Sequence, residues 1–297
     1  MSIGVIGAGK WGSALAFALG QKSEVRINSR TPRDIPNFVS LEEILKSEYL
    51  VITVPAQQVA KWLKENFVFN GQKILVASKG IEASSGKFLN EIYKEYVPDS
   101  HISFLSGPSF ATEVMQSLPT ALVINSTNKA LAQEFAALFP SFIKSYTSTD
   151  VIGAEISGAY KNVIAIAAGI CDGLNLGNNA AAALISRGLV EMDRFGAKYG
   201  AKKETFLGLS GAGDLFLTAS SIMSRNFRVG QGLARELSQE EILQELGEVA
   251  EGIGTAYALY EIAKKEDLYL PIAREVYEML EGKSPQESLR DLLSKEM

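Results

Sequence analysis

The sequence predicts a two-domain α/β protein: a doubly wound, mostly parallel sheet over residues 1–150, then an all-helical domain over 151–297. Three observations carry this. Short β-branched or apolar runs alternate with helical periodicity in the first half, the pattern of strands joined by helical crossovers. Strand-like runs stop near Asp150, and long helical patterns replace them. A glycine-rich turn separates the first strand from the first helix.

Strands are expected at 2–6, 24–27, 50–54, 73–77, 102–105, 121–124 and 142–146, each bounded by polar or helix-forming residues. Helical spacing fills several gaps, at 11–20, 57–66, 88–96 and 131–139. In the second half it covers 154–168, 180–199, 229–236, 239–246, 254–266 and 272–281. No internal repeat or low-complexity segment interrupts the chain.

Composition narrows the function. Apolar residues make up 46% and charged residues 21%, enough to build a large core. Net charge is −5 with no basic block, which argues against nucleic acid or an anionic membrane surface as partner. An acidic protein that handles an anionic ligand must use a few local cations. Cys171 is the only cysteine, so an intrachain disulfide and a cysteine metal cluster are excluded, as suits a reducing compartment. The N-terminus enters a strand-like run directly, which predicts no secretory signal. The most membrane-like stretch, 163–171, is far short of the roughly 18–20 residues of a span and predicts a buried core helix.

Gly7-Ala8-Gly9-Lys10-Trp11-Gly12 fits G-x-G-x-x-G, between a strand and a helix carrying Ala14, Leu15, Ala18 and Leu19. In that setting Gly7, Gly9 and Gly12 permit a tight turn and close approach of a pyrophosphate to the helix N-terminus, which makes this a Rossmann-type dinucleotide site. The second strand of such a fold normally ends in an acid that binds the ribose of NAD. Here it ends Asn28-Ser29-Arg30, with Arg33 close by, so the edge favours the 2′-phosphate of NADPH; Arg30 as a solvated loop arginine is the alternative.

His101, the only histidine, precedes a strand, whereas ligands of open α/β sheets bind beyond strand carboxyl ends. It is expected to be structural or exposed. That leaves lysine, carboxylate or tyrosine for proton transfer. Val54-Pro55, Ser78-Lys79-Gly80 and Ser106-Gly107-Pro108-Ser109 follow strands and would line the rim of the glycine loop; Lys79 is a cation on a tight turn. Lys161 lies in a helix otherwise small or apolar, with Ser157 and Gly158 on its face. Burial would shift such an amine towards proton transfer at neutral pH; an interdomain ion pair to Glu155 or Asp214 is the other reading. Asp214 ends a glycine-rich turn, 208–213. Ser224, Arg225 and Asn226, with Arg228 beside them, gather hydroxyl, guanidinium and amide donors suited to a phosphate, or else form a helix N-cap with solvated arginines.

These segments, together with Gly158-Ala159-Tyr160-Lys161-Asn162-Val163, Ile185-Ser186-Arg187-Gly188, Gly211-Ala212-Gly213-Asp214-Leu215 and Glu248-Val249-Ala250-Glu251-Gly252, resemble in order the bacterial NAD(P)-dependent glycerol-3-phosphate dehydrogenase family over nearly the whole chain. The resemblance implies reduction of dihydroxyacetone phosphate to sn-glycerol 3-phosphate by NADPH or NADH, without a metal, in the cytoplasm and feeding phospholipid synthesis. It implies Lys161 as general acid, with Asp214 orienting and charging it. Lys79, Gly107, Ser109, Asp214, Ser224, Arg225 and Asn226 would surround the substrate, with Asn162 and Thr218 near the reacting oxygens. Lys10, Trp11, Arg30, Lys79, Ala111, Arg225, Val249 and Glu251 would line the cofactor. The chain departs from the family where Lys10 replaces a usual serine, Ala219 a frequent cysteine, and where 31–40 makes a shortened connection. Alanine-rich helices offer a surface for a homodimer.

Overall fold

The apolar runs become seven strands: β1 (Ile3–Ile6), β2 (Val25–Asn28), β3 (Tyr49–Ile52), β4 (Lys73–Val76), β5 (Ile102–Ser106), β6 (Thr120–Asn125) and β7 (Ile143–Ser148). They form one sheet in the order β2-β1-β3-β4-β5-β6-β7, parallel except where β6 meets β5. The computed structural model describes residues 2–294. Six helices cover the sheet: α1 (Lys10–Gly20), α2 (Leu41–Ile44), α3 (Ala56–Asn66), α4 (Leu89–Tyr93), α5 (Ala111–Met115) and α6 (Lys129–Leu138).

Strand alternation decides which helix lies where. Ile3, Val5, Val51, Leu75, Leu105, Leu122 and Ile124 face one side and pack with Leu15 and Leu19 of α1, Val114 of α5 and Phe135 of α6. Ile6, Leu50, Ile52, Ile74, Val76 and Phe104 face the other, with Ile44 of α2, Val59 and Leu63 of α3, and Ile92 of α4. Both faces of the central strands are buried, so β1 and β3 run apolar without a break, as central parallel strands do, whereas the edge strand β7 is polar and largely exposed.

The short connection after β2 has a visible consequence. A doubly wound nucleotide-binding sheet places a further strand outside β2. Here a single parallel bridge, Ile27 with Phe38, holds that place. The Ile27 N–H donates to Asn37 O at 3.0 Å and the Val39 N–H to Ile27 O at 3.0 Å. The segment is too short to extend the pairing.

A long helix, α7 (Val151–Gly173), starts where the Asp150 carboxylate accepts the Gly153 N–H at 3.1 Å. Beyond it come α8 (Gly177–Lys198), α9 (Lys203–Leu207), a π-helical turn (Leu209–Gly213), α10 (Asp214–Ala219), α11 (Arg225–Ala234), α12 (Gln239–Leu246), α13 (Glu251–Glu266), α14 (Pro271–Leu280) and α15 (Pro285–Ser294). The chain divides into one compact unit of Met1–Lys79 and Leu89–Glu155, and a second of Gly80–Phe88 and Ile156–Met297. The loop Gly80–Phe88 therefore belongs with the helices. Phe88, expected to open a helix, instead bridges to Ile81 and packs edge-on against Tyr199 at 5.1 Å.

Helices α2, α5, α9 and α10 escape sequence periodicity because each spans only one or two turns. In α15 only Pro285 and Ser288 are buried, so no apolar stripe announces it. The 163–171 run understates α7, whose 23 residues are long and apolar enough to cross a bilayer by length and composition alone. Its most apolar window is 89% buried in the protein, which makes it a core helix. In the helical unit the buried Glu191 carboxylate fixes α14 by accepting the Ile272 and Ala273 N–H groups at 2.8 and 2.9 Å and the Tyr160 hydroxyl at 2.7 Å. Burial pushes this carboxyl above its ordinary range, and the backbone donors oppose that shift.

Candidate active site

In the sheet unit the glycine loop fits a dinucleotide. Gly7 has φ +108°, and a Cβ on Gly12 would lie 1.7 Å from the Gly7 carbonyl oxygen, so neither position admits a side chain. A Cβ on Gly9 would meet nothing within 4 Å. Gly9 also caps α1 without a side-chain bond, which leaves first-turn N–H groups for an anion. Thr53, which no motif announces, secures the turn: its hydroxyl lies 3.0 Å from the Ile6 carbonyl oxygen and 3.1 Å from that of Gly7. Its one signal is a lone hydroxyl in the run Val51-Ile52-Thr53-Val54. Trp11 donates its indole N–H to Ala77 O at 3.1 Å, tying the start of α1 to the end of β4; Lys10 is exposed.

At the end of β2, Asn28 is buried and its amide donates to Val39 O at 2.7 Å, while the Gly7 N–H donates to the Asn28 carbonyl at 2.8 Å. No carboxylate stands at that position, and Arg30 and Arg33 are exposed beyond it. Lys79, Gly107 and Ser109 come together. The Lys79 ammonium and the Ser109 hydroxyl both donate to the Gly107 carbonyl, at 3.5 and 3.2 Å. Ala111 opens α5 just beyond. His101 ends a short 3₁₀ turn before β5, with Ser100 Oγ 2.9 Å from Nδ1 and Phe69 edge-on at 5.2 Å, as a structural histidine should.

The helical unit holds the ionisable centre. Lys161 is 7% exposed, and its Nζ donates to Asp214 Oδ1 at 2.7 Å and to Thr218 Oγ1 at 2.9 Å. Asp214 is 2% exposed, and the Thr218 hydroxyl in turn donates to the Asp214 carbonyl at 2.7 Å. Both acidic partners suggested for Lys161 can now be placed. The ion pair is with Asp214 and lies within one unit. Glu155 instead accepts the Asn90 N–H at 2.8 Å, and burial pushes its carboxyl up to about 8. The π-helical turn delivers Asp214: its Gly213 N–H reaches back to Gly208 O at 3.1 Å, and α10 starts on the next residue.

The donor cluster is the first turn of α11, which starts at Arg225 rather than at 229. Ser224 is its N-cap and accepts the Phe227 N–H at 3.2 Å, leaving the hydroxyl proton to donate elsewhere. The close crossing of α7 and α11 fixes this turn: a Cβ on Gly230 would lie 1.9 Å from Ile166 O, and one on Gly169 1.9 Å from Phe227 O. Asn226 Oδ1 accepts the buried Gly252 N–H at 2.9 Å, which orients its Nδ2 as the available donor. A Cβ on Gly252 would lie 2.9 Å from the Asn162 carbonyl, so Asn162, Gly252 and Asn226 are neighbours. Arg225 meets Glu248, which no motif marks as a site residue, at 3.3 Å. Val249 is 55% exposed, and Glu251 opens α13.

Among the described residues one carboxylate trio, Glu275, Glu278 and Asp291, is close enough to grip a cation. The Lys283 ammonium already sits there, at 2.6, 2.6 and 2.7 Å.

Comparison with known proteins identifies the family. Residues 28–132 match the family described as NAD-dependent glycerol-3-phosphate dehydrogenase N-terminus, and residues 150–290 match the corresponding C-terminus. The chain is 75% identical to glycerol-3-phosphate dehydrogenase [NAD(P)+] of Sulfurimonas denitrificans over 98% of this chain and 99% of that protein. It is 59% identical to the protein of the same name from Nitratiruptor, over 99% of each. Among solved structures, glycerol-3-phosphate dehydrogenase from Coxiella burnetii superposes with a TM-score of 0.90 at 32% identity, over 99% of both chains. By these matches and by its sheet, glycine loop and helical unit, the chain belongs to the NAD-dependent glycerol-3-phosphate dehydrogenase family.

Proposed function

We propose that this protein reduces dihydroxyacetone phosphate to sn-glycerol 3-phosphate, reversibly, with NADPH as the preferred donor and NADH as the alternative. The observation that carries the reading is the buried Lys161–Asp214–Thr218 cluster in the same unit as the Ser224–Arg225–Asn226 turn. Gly7, Gly9, Lys10, Trp11, Gly12, Arg30 and Ala111 would hold the dinucleotide, with Lys79, Arg225, Val249 and Glu251. A reduced nicotinamide bound there supplies a hydride.

Lys161 supplies the proton. As the C2 carbonyl gains the hydride, charge builds on its oxygen, and the ammonium both stabilises that charge and neutralises it by proton transfer. In the reverse direction the neutral amine takes the proton from the alcohol. Asp214 keeps the amine charged before reaction, since a carboxylate at 2.7 Å opposes the effect of desolvation. Thr218 accepts a second N–H of Nζ, and Asn162 follows Lys161 on α7. Arg225, Asn226 and Ser224 bind the phosphate, and Lys79, Gly107 and Ser109 the rest of the substrate. Binding energy from the phosphate then fixes the distant carbonyl for reaction.

We infer a cytoplasmic homodimer that supplies glycerol 3-phosphate to phospholipid synthesis. A strip of exposed small or apolar residues along α8 (Ala182, Ala183, Ser186 and Val190) supports the pairing. The single unpaired Cys171 suits a reducing compartment.

A steady-state assay of cofactor oxidation tests the function. Dihydroxyacetone phosphate is expected to be turned over with both cofactors, with the higher kcat/KM for NADPH, because Asn28 offers no carboxylate to the ribose and Arg30 stands beyond it. No turnover with either cofactor rejects the substrate. A higher kcat/KM for NADH rejects the role given to Arg30.

A further inference from the structure

We propose that Glu248 competes with the substrate phosphate for Arg225, holding the guanidinium until a phosphoryl dianion displaces it. This rests on the reading above that Arg225 binds the substrate phosphate.

The stretch from Glu248 to Gly252, which leads into α13, is fastened to the first turn of α11 at two points of unequal exposure. Gly252 donates to Asn226 Oδ1 at 2.9 Å, a buried bond. Arg225 Nη1 donates to Glu248 Oε2 at 3.3 Å, with side chains 42% and 28% exposed. The first contact is buried and the second is partly exposed. A long, partly solvated ion pair belongs to the weakest class of such pairs. One N–H of the guanidinium engages the carboxylate, although its fork can bind an anion through two.

Of the two arginines at the start of α11, it is Arg225 that meets the acid. Arg228, one turn further along α11, forms no ion pair among the described residues, and its Nε is buried without a hydrogen-bond partner. Glu248 therefore competes with whatever Arg225 binds. An incoming carboxylate would exchange like for like and gain nothing, whereas a phosphoryl group brings a second charge and a bidentate edge.

The test is Glu248→Gln, which keeps the shape and removes the charge. KM for dihydroxyacetone phosphate is expected to fall about two- to fivefold with kcat held within about twofold, the range of an exposed ion pair. Orthophosphate titrated into the protein by calorimetry is expected to bind tighter by the same factor. In an Arg225→Ala background the Gln substitution should change neither quantity. Unchanged or weaker orthophosphate binding in the single variant overturns the proposal, as does a change that survives loss of Arg225. A protein that fails to reduce dihydroxyacetone phosphate, yet binds orthophosphate more tightly once Glu248 is neutral, would strike the substrate assignment and leave Glu248's role standing.

Discussion

Replacing Lys161 by alanine is expected to lower kcat for dihydroxyacetone phosphate reduction by about 10²–10⁴-fold, the usual worth of a positioned general acid. The geometry explains why no neighbour substitutes. Of the two groups bonded to Nζ, Asp214 at 2.7 Å accepts the amine's N–H, and Thr218 at 2.9 Å is too weak an acid. Cofactor affinity should stay within about threefold, since the loss falls on the transition state and not on ground-state binding. Steady-state kinetics and a fluorescence titration with NADPH, run on one preparation, check both halves. A loss confined to NADPH affinity, with kcat preserved, would move the proton donor elsewhere.

Asp214→Ala is expected to carry the largest stability cost. The substitution leaves the Lys161 ammonium 7% exposed without its counter-ion. Removing one partner of a buried pair costs about 3–5 kcal/mol, whereas an exposed pair is worth about 0–1 kcal/mol. For a unit of this size that corresponds to a fall in Tm of roughly 6–20 °C. Asp214→Asn retains the shape and one acceptor for Nζ, so it should recover much of the stability but little of the turnover. Thermal melts of the two variants beside wild type measure the difference. Equal melting temperatures for wild type and Asp214→Ala would mean that the pair does not hold the helical unit together.

The strands and the long helices were legible because each buries enough apolar residues to impose a period on the sequence. Thus Ile3 and Val5 face one side of the sheet and Ile6 the other, and every expected strand forms. The glycine loop was equally plain, since steric demands at Gly7 and Gly12 admit no other residue type. Lys161 stood out as a charge among small residues. Spacing alone left its partner open and only the resemblance pointed to Asp214, which reaches it across 53 positions while Glu155, only six away, turns to Asn90.

What sequence conceals here is mostly single polar contacts between distant segments. Thr53 secures the glycine turn from 46 residues away, and Glu191 caps α14 from 81 and 82 residues away. Neither leaves a periodic trace. The start of α11 was half legible: helical spacing pointed to 229, while the alternative reading of the Ser224 segment as an N-cap gave the start that the structure shows.

The most direct test of Lys161 as proton donor is the turnover of Lys161→Arg. Arginine preserves the positive charge opposite Asp214, but its guanidinium stays protonated in proteins and cannot serve as the acid. With a Tm near wild type as evidence that the ion pair survives, kcat should fall to within about tenfold of the Lys161→Ala value. A kcat close to wild type would show that fixed charge at this position suffices, and would contradict proton transfer from Lys161.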